Sequence, residues 1–408
     1  MRFNGLTLAP LLRGHGIDST HMIWKRDTSD PVIRSFSAPY TSEINALYAK
    51  IENITSMQSV LYQNGEQILR DQSFAEADLV HLHLIHTGYL NLLDLRMITQ
   101  AKPTVWTIHD PWAFTGHCVY PLECERWKIG CGHCPDLDIN FPMRYDNTDI
   151  MFDYKKFAYS QANFEVIVAS EWMKLMAEAS PLFENVHVHK VPFGLDLEFF
   201  ARSAGAEIRR AHEIADDEIV LCFRAQEEFK GLEYIRKALR QLQTTAKICL
   251  LTVGNIGLLN EFADKYRLVE FGWVNDPALL RDIMDACDIF LMPSIAEAFG
   301  VMAIEAMACS KPVICFEGTS LPEVTNAPEI GVAVPMKDHH GLSRAISFLI
   351  NNEDERQKRG IKGLEFAKRN YDERQHAIRM ASLYRGVLSR AGQRRRNFSQ
   401  VDNARVSS

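Results

Sequence analysis

The sequence has no run of about 18 consecutive apolar residues, the length that crosses a bilayer as a helix. A helical membrane span is therefore excluded as its organising element. Excess basic charge is also missing. Its 45 Lys and Arg stand against 52 Asp and Glu, a net charge of −7, which argues against a general nucleic-acid coat. There is no repeat of short period and no long low-complexity tract, so solenoid and disordered classes fall away. The opening segment, Met1 to Gly16, is interrupted by Asn4, Gly5, Pro10 and Arg13 and does not read as a secretory leader. On that reading the nine cysteines belong in a reducing cytoplasm, where thiols stay free or bind metal.

What is present is a 408-residue chain, 47% hydrophobic and 24% charged. Such a length predicts roughly two or three domains with large cores. Apolar runs alternate with helical-period segments: DLVHLHL at 78–84, TVWTIHD at 104–110, FEVIVAS at 164–170, EIVLCFRA at 218–225, KICLLTVG at 247–254 and DIFLMPS at 288–294. Continuous Val/Ile/Leu runs are strands buried on both faces, the pattern of parallel sheets in α/β layers. Turn chemistry and charge at 192–216 read as a linker. The expectation is two Rossmann-like, doubly wound domains, 1–192 and 193–370, facing each other across a cleft. A helix at 371–390 follows, with the first domain as one candidate packing partner, and 391–408 is a solvated tail. Arg394–Arg396 in that tail offers a peripheral contact for acidic lipid headgroups.

The strongest chemistry lies in the second half. PSIAEAFGVMAIEAMA (293–308) reads as a strand end, a loop and a helix starting near Phe299, whose first-turn amides form an anion site. Gly300 permits close backbone approach. Glu297 and Glu305 stand eight residues apart, and helical side chains lean toward the N-terminus, so both can serve one pocket. Carboxylates beside a phosphate would repel it. Their use is to accept hydrogen bonds from the hydroxyls of a ribose or hexose. At the end of 218–224, Arg224 and Lys230 flank a strand-to-helix turn suited to clamping a diphosphate. The loop 269–276 offers the backbone of Gly272 to Val274 to a base edge. Trp273 there is either a stacking platform or core.

In the first half, His109 and Asp110 fall at a strand end. Such a His is usually structural, and Asp110 reads as a brace for the loop or an acceptor contact. Between 117 and 135 the spacing C-x(5)-C-x(6)-C-x(2)-C places Cys118, Cys124, Cys131 and Cys134, with His117 and His133 as substitutes. Two readings stay open: a structural zinc, or free thiols packed in an irregular loop. The remaining cysteines, 222, 249, 287, 309 and 315, sit singly in apolar runs and read as core.

The Arg–Lys-Gly turn, the E-x(7)-E loop–helix and the PFGLD segment together resemble the retaining GT-B glycosyltransferases of family four, most specifically over 218–335. That resemblance implies a hexose-type transfer from a nucleotide-diphosphate sugar to a glycan or lipid-linked acceptor, in polysaccharide or lipopolysaccharide synthesis. It implies base contacts at Gly272, Trp273 and Val274, a diphosphate pair in Arg224 and Lys230, and ribose held by Glu305. Glu297 and His109 would line the donor-sugar pocket, with the backbone of Ala298, Phe299 and Gly300 on sugar and phosphate. No metal is needed for transfer in that family. The Cys-rich loop marks one of its branches. The family's first strand and Gly-Gly loop should precede the helix beginning near Asn4 and are not seen in the sequence. Two rivals follow: a sugar-nucleotide epimerase on the same fold, and a non-catalytic nucleotide-sugar-binding relative.

Overall fold

The computed structural model describes residues 5–24, 32–35, 41–139, 141–202, 204–226 and 228–406. Residues 3 and 4, where the first helix was expected to begin, lie outside these. The chain forms two compact units. Unit 1 is Met1–Ala169, Met173–Val191 and His376–Ser408; unit 2 is Ser170–Trp172 and Pro192–Gln375.

Unit 1 carries a two-stranded parallel sheet, β1 (His21–Ile23) with β2 (Ile33–Ser35), and a four-stranded parallel sheet. The larger sheet runs β3 (Val80–His83), β4 (Thr104–Thr107), β5 (Phe164–Val168), β6 (Val188–Lys190), in chain order. All four residues of β4 are buried, which is why TVWT shows no polar alternation. The first helix, Ala9–Arg13, has Pro10 in its opening turn, where a missing N–H costs nothing. Its Leu12 joins Leu8, Val105, Ile167 and Val191 in one core. The last helix, Glu373–Val406, closes that core with Ala377, Met380, Ala381 and Val387. This helix continues past 390, through the segment read as a tail. Nothing after Gly392 breaks it, since no proline follows. The side chains of Arg394–Arg396 lie outside those described. No helix among the described residues is long and apolar enough to cross a membrane.

Unit 2 is a six-stranded parallel sheet in the order β12–β11–β10–β7–β8–β9. These strands are β7 (Glu218–Ala225), β8 (Lys247–Gly254), β9 (Arg267–Glu270), β10 (Ile289–Met292), β11 (Val313–Phe316) and β12 (Val332–Val334). The order reverses where β10 lies beside β7, with Leu221 opposite Ile289. In such sheets ligands bind outside the carboxyl ends of the strands at the reversal. The segment read as a linker belongs to unit 2. It forms helices Leu197–Phe200 and Gly205–Ala211. Gly205 lies so close to the backbone of Asp285 and Ala286 that a Cβ would come within 2.5 Å, and Arg209 pairs with Asp288 at 2.7 Å. Charge there serves docking rather than solvation.

Candidate active site

In unit 2 the candidate residues gather at the carboxyl ends of β7, β9 and β10. The turn after β7 carries Lys230, followed by Gly231 in the left-handed region at φ +78° as cap of the helix Leu232–Gln241. A Cβ at Gly231 would lie 1.9 Å from the Pro293 carbonyl oxygen, so only glycine lets the turns after β7 and β10 meet. Ile295 N–H donates to the Phe229 carbonyl at 2.9 Å, stitching the same two turns. Their side chains then meet directly: Lys230 Nζ donates to Glu297 Oε2 at 2.8 Å, with both side chains largely shielded from water. The Arg224 guanidinium lies over the Trp273 ring at 4.7 Å. Burial lowers the Arg224 pKa from its ordinary value while Glu297 raises it, and a guanidinium keeps its charge under such pressure.

Trp273 is 64% exposed, which rules out the core reading. Its ring N–H donates to Asn275 at 3.0 Å. Gly272 precedes it at φ +67° and accepts the Gly254 N–H at 2.7 Å, and Asn255 N–H reaches the Ala225 carbonyl at 2.7 Å. These bonds tie the ends of β7, β8 and β9 together. Val274 is half-buried beside Trp273.

After β10 the helix is Val301–Ala308, starting two residues later than the sequence suggested, with Gly300 as its cap at φ +89°. A Cβ at Gly300 would strike Leu321 at 2.4 Å and touch Glu297 Cγ at 3.5 Å. Phe299 is buried edge-to-face against Phe193 and Tyr371, so it offers only its backbone. The Ala298 carbonyl accepts the Ser170 hydroxyl at 2.7 Å, and the Glu297 carbonyl accepts that of Ser320 at 2.9 Å. This loop is thus fixed by side chains from either side of it. Glu305 is 2% exposed inside the helix. Two further polar groups escaped the sequence reading as site residues. Gln226 Oε1 and Ser294 Oγ, next to the ends of β7 and β10, are buried without a hydrogen-bond partner. Orphaned buried polar atoms are rare, and at a strand-end site they mark where a polar ligand belongs. A polar residue directly after an apolar strand run was the available signal.

Unit 1 holds His109 and the four loop cysteines. His109 Nε2 lies 3.1 Å from His83 Nδ1. His81 is bonded at 2.7 Å to both Tyr384 and Thr107. Burial pulls His109 down to about 4 and His81 to about 3, and holds His83 well below the ordinary range. These are neutral imidazoles near pH 7, able to exchange hydrogen bonds with a hydroxyl but carrying no charge. Asp110 accepts the Trp112 N–H at 2.9 Å and faces His86 at 3.4 Å, the part of a loop brace. Cys118, Cys124, Cys131 and Cys134 are free and half-buried; burial pushes Cys118 up to about 12 and Cys131 to about 11. The other five cysteines are free and buried.

Two α/β units with parallel sheets, one presenting a cation–carboxylate grip at its switch point, define a GT-B fold. Residues 205–365 match the model of the family described as glycosyl transferases group 1. It is 22% identical over 282 residues to the putative colanic acid biosynthesis glycosyl transferase WcaC of Escherichia coli (strain K12), covering 65% of this chain and 66% of that one. Matches to two further curated relatives span 26% and 41% of their lengths, so the chain covers less than two thirds of these relatives. Among solved structures, sucrose-phosphate synthase from Thermosynechococcus elongatus superposes with a TM-score of 0.62 at 18% identity, over 94% of this chain and 92% of that one. Anabaena Alr3699/HepE, solved with UDP and glucose, gives 0.57 at 16% identity over 92% and 88%. At these identities the likeness concerns the fold.

Proposed function

We propose that the chain is a retaining glycosyltransferase, moving a hexose-type sugar from a nucleotide-diphosphate sugar to a glycan or lipid-linked acceptor in polysaccharide synthesis. The observation that carries this reading is the 2.8 Å contact of Lys230 with Glu297 beside Arg224 on Trp273. The WcaC likeness supports the pathway class, and the UDP-bound neighbour supports a nucleotide sugar.

The chemistry follows from charge. As the bond from the sugar carbon to the diphosphate oxygen breaks, negative charge grows on the diphosphate. Arg224 meets it with a fork of N–H donors and Lys230 with a point charge. The first-turn amides of Val301–Ala308 add dipolar donors. These groups take the part a divalent ion would otherwise take. Glu297, ionised, is an acceptor only. A bound diphosphate competes for Lys230 and leaves a carboxylate oxygen to accept a sugar hydroxyl. Glu305 is assigned to the ribose, Trp273 to the base face, with the backbone of Gly272 and Val274 at the base edge. Gln226 Oε1 takes a ligand N–H or O–H. His109 keeps the part of a neutral hydrogen-bonding side chain for a hydroxyl. With Glu297 assigned to a sugar hydroxyl, no carboxylate is assigned as the nucleophile of a double displacement. The acceptor oxygen attacks from the face the diphosphate leaves, and its proton passes to a donor phosphate oxygen.

The test is a panel of nucleotide sugars and nucleoside diphosphates screened by thermal shift, with and without Arg224→Ala/Lys230→Ala. A binder raises the apparent Tm by mass action. The double variant should lose that rise. An equal rise in the double variant would overturn the reading.

A further inference from the structure

The loop from His117 to Cys134 enters no step of the transfer, yet its cysteines share one cavity wall. Cys118, Cys124, Cys131 and Cys134 line one cavity of about 30 Å³ together with His117 and Trp127. That space suits a single ion or water and excludes a sugar. We propose that these four cysteines bind one structural zinc ion as a tetrahedral tetrathiolate.

The local backbone is shaped for it. Gly130, Cys131, Gly132 and His133 all have positive φ, between 50° and 128°, and the N–H groups of Gly130 and Cys131 both donate to the Arg126 carbonyl, at 3.1 and 2.9 Å. This tight turn brings Cys131 and Cys134 to the same wall. It is fastened to the start of the helix Thr148–Ser160: Gly132 N–H donates to Thr148 Oγ1 at 3.0 Å and Cys134 N–H to Asp146 at 2.6 Å. Gly116 N–H donates to Cys131 Sγ at 3.2 Å. A Cβ at Gly116 would lie 2.3 Å from the Thr148 carbonyl oxygen, so glycine is required for that amide to reach the sulfur. An amide aimed at sulfur favours the thiolate, the form a metal takes.

An independent observation concerns charge. Lys155, on that same helix, is fully buried. Its ammonium donates to the carbonyls of Trp112 and Thr115 and lies 3.5 Å over the Trp112 ring. Among the described residues no carboxylate pairs with it. Burial works against its charge, and the Asp110 carboxylate offsets only part of that cost. Zinc binding displaces the four thiol protons to solvent and leaves a centre with two net negative charges, which adds to the attraction Lys155 already feels from Asp110. A second metal candidate fails by comparison. Glu165, His187 and His189 have ligand atoms within 4.8 Å of one another, but Glu165 already accepts two bonds from Arg390 and one from His189. The four sulfurs lie further apart than that around their shared cavity, so the proposed tetrahedral site requires them to close inward on the ion.

The experiment is elemental analysis of the purified full-length chain, with organomercurial titration of the loop thiols while released zinc is followed by a chromogenic chelator. The expected result is about one zinc per chain, released in step with modification of four thiols while the five buried cysteines stay unreacted. Cys131→Ser/Cys134→Ser should drop zinc content at least about tenfold; His117→Ala should retain it. Cobalt substitution should give sulfur-to-metal charge-transfer absorption. A wild-type chain purified and refolded with zinc that holds none overturns the proposal. Loss of the ion in His117→Ala overturns the all-sulfur set. The wild-type titration stands even where the double variant does not fold.

Discussion

The two units place chemistry at the ends of parallel strands in opposite electrical styles. In unit 2, charged side chains from turns separated by 67 residues are held in contact, Lys230 on Glu297. In unit 1, the strand-end groups are imidazoles that burial keeps neutral, passing hydrogen bonds among His81, His83, His109, Thr107 and Tyr384. The difference follows from exposure. Lys230 and Glu297 meet directly and keep 22% and 13% of their side-chain surface exposed, whereas desolvation is the largest cause of the shifts in the His cluster. A charged grip suits a ligand whose charge changes during reaction; a neutral network suits one that needs only orientation.

The comparison breaks first at the cations. Arg224→Ala/Lys230→Ala should lower kcat/KM by on the order of a thousandfold or more, because each cation stabilises the leaving diphosphate. Steady-state kinetics on the best donor checks this, and a loss below tenfold would deny the grip its role. Glu297→Gln comes next. Turnover should fall by about a hundredfold, yet nucleoside diphosphate should bind a few-fold tighter, since Lys230 is released and a negative neighbour removed. Calorimetry showing weaker binding would refute that competition. The neutral network makes a pH prediction. His109 and His81 are protonated near 6.5 in the unfolded chain but only near 4 and 3 when folded. The unfolded state therefore takes up protons first, and the stabilisation complete above about pH 6.5 drains away as pH falls toward 4. Thermal melts across that range should show Tm falling by several degrees, and less steeply in His81→Gln. A flat profile would mean the imidazoles are not desolvated. The smallest effect belongs to Trp273→Ala. Loss of one stacking face should raise donor KM several-fold with little change in kcat.

Much of unit 2 could be read from the sequence because its site residues follow apolar runs at short, fixed distances. Arg224, Lys230, Glu297 and Gly300 stand out on that basis alone. The pairing of Lys230 with Glu297 could not be read, since it depends on β10 lying next to β7, a matter of strand order and not of local pattern. Ser170 reaching the Ala298 carbonyl is hidden for the same reason. Lys155 was missed differently. In DYKKFAYS it looks like surface charge, but it shares a face with Met151, Phe152, Ala158 and Tyr159, all buried. Helical spacing would have flagged it. In the segment 192–216 the helices and their docking by charge were not legible, because polar, Gly-containing sequence has no apolar period to show them.

The long helix that begins at Glu373 has a consequence for biogenesis. Leu8 and Leu12 leave the ribosome long before the partners that cover them, Ala377 through Val387. Unit 2, translated in between, has all its strands before that moment. The half encoded first is therefore the half finished second, and a nascent chain stalled before residue 377 would present an uncovered apolar seam to chaperones.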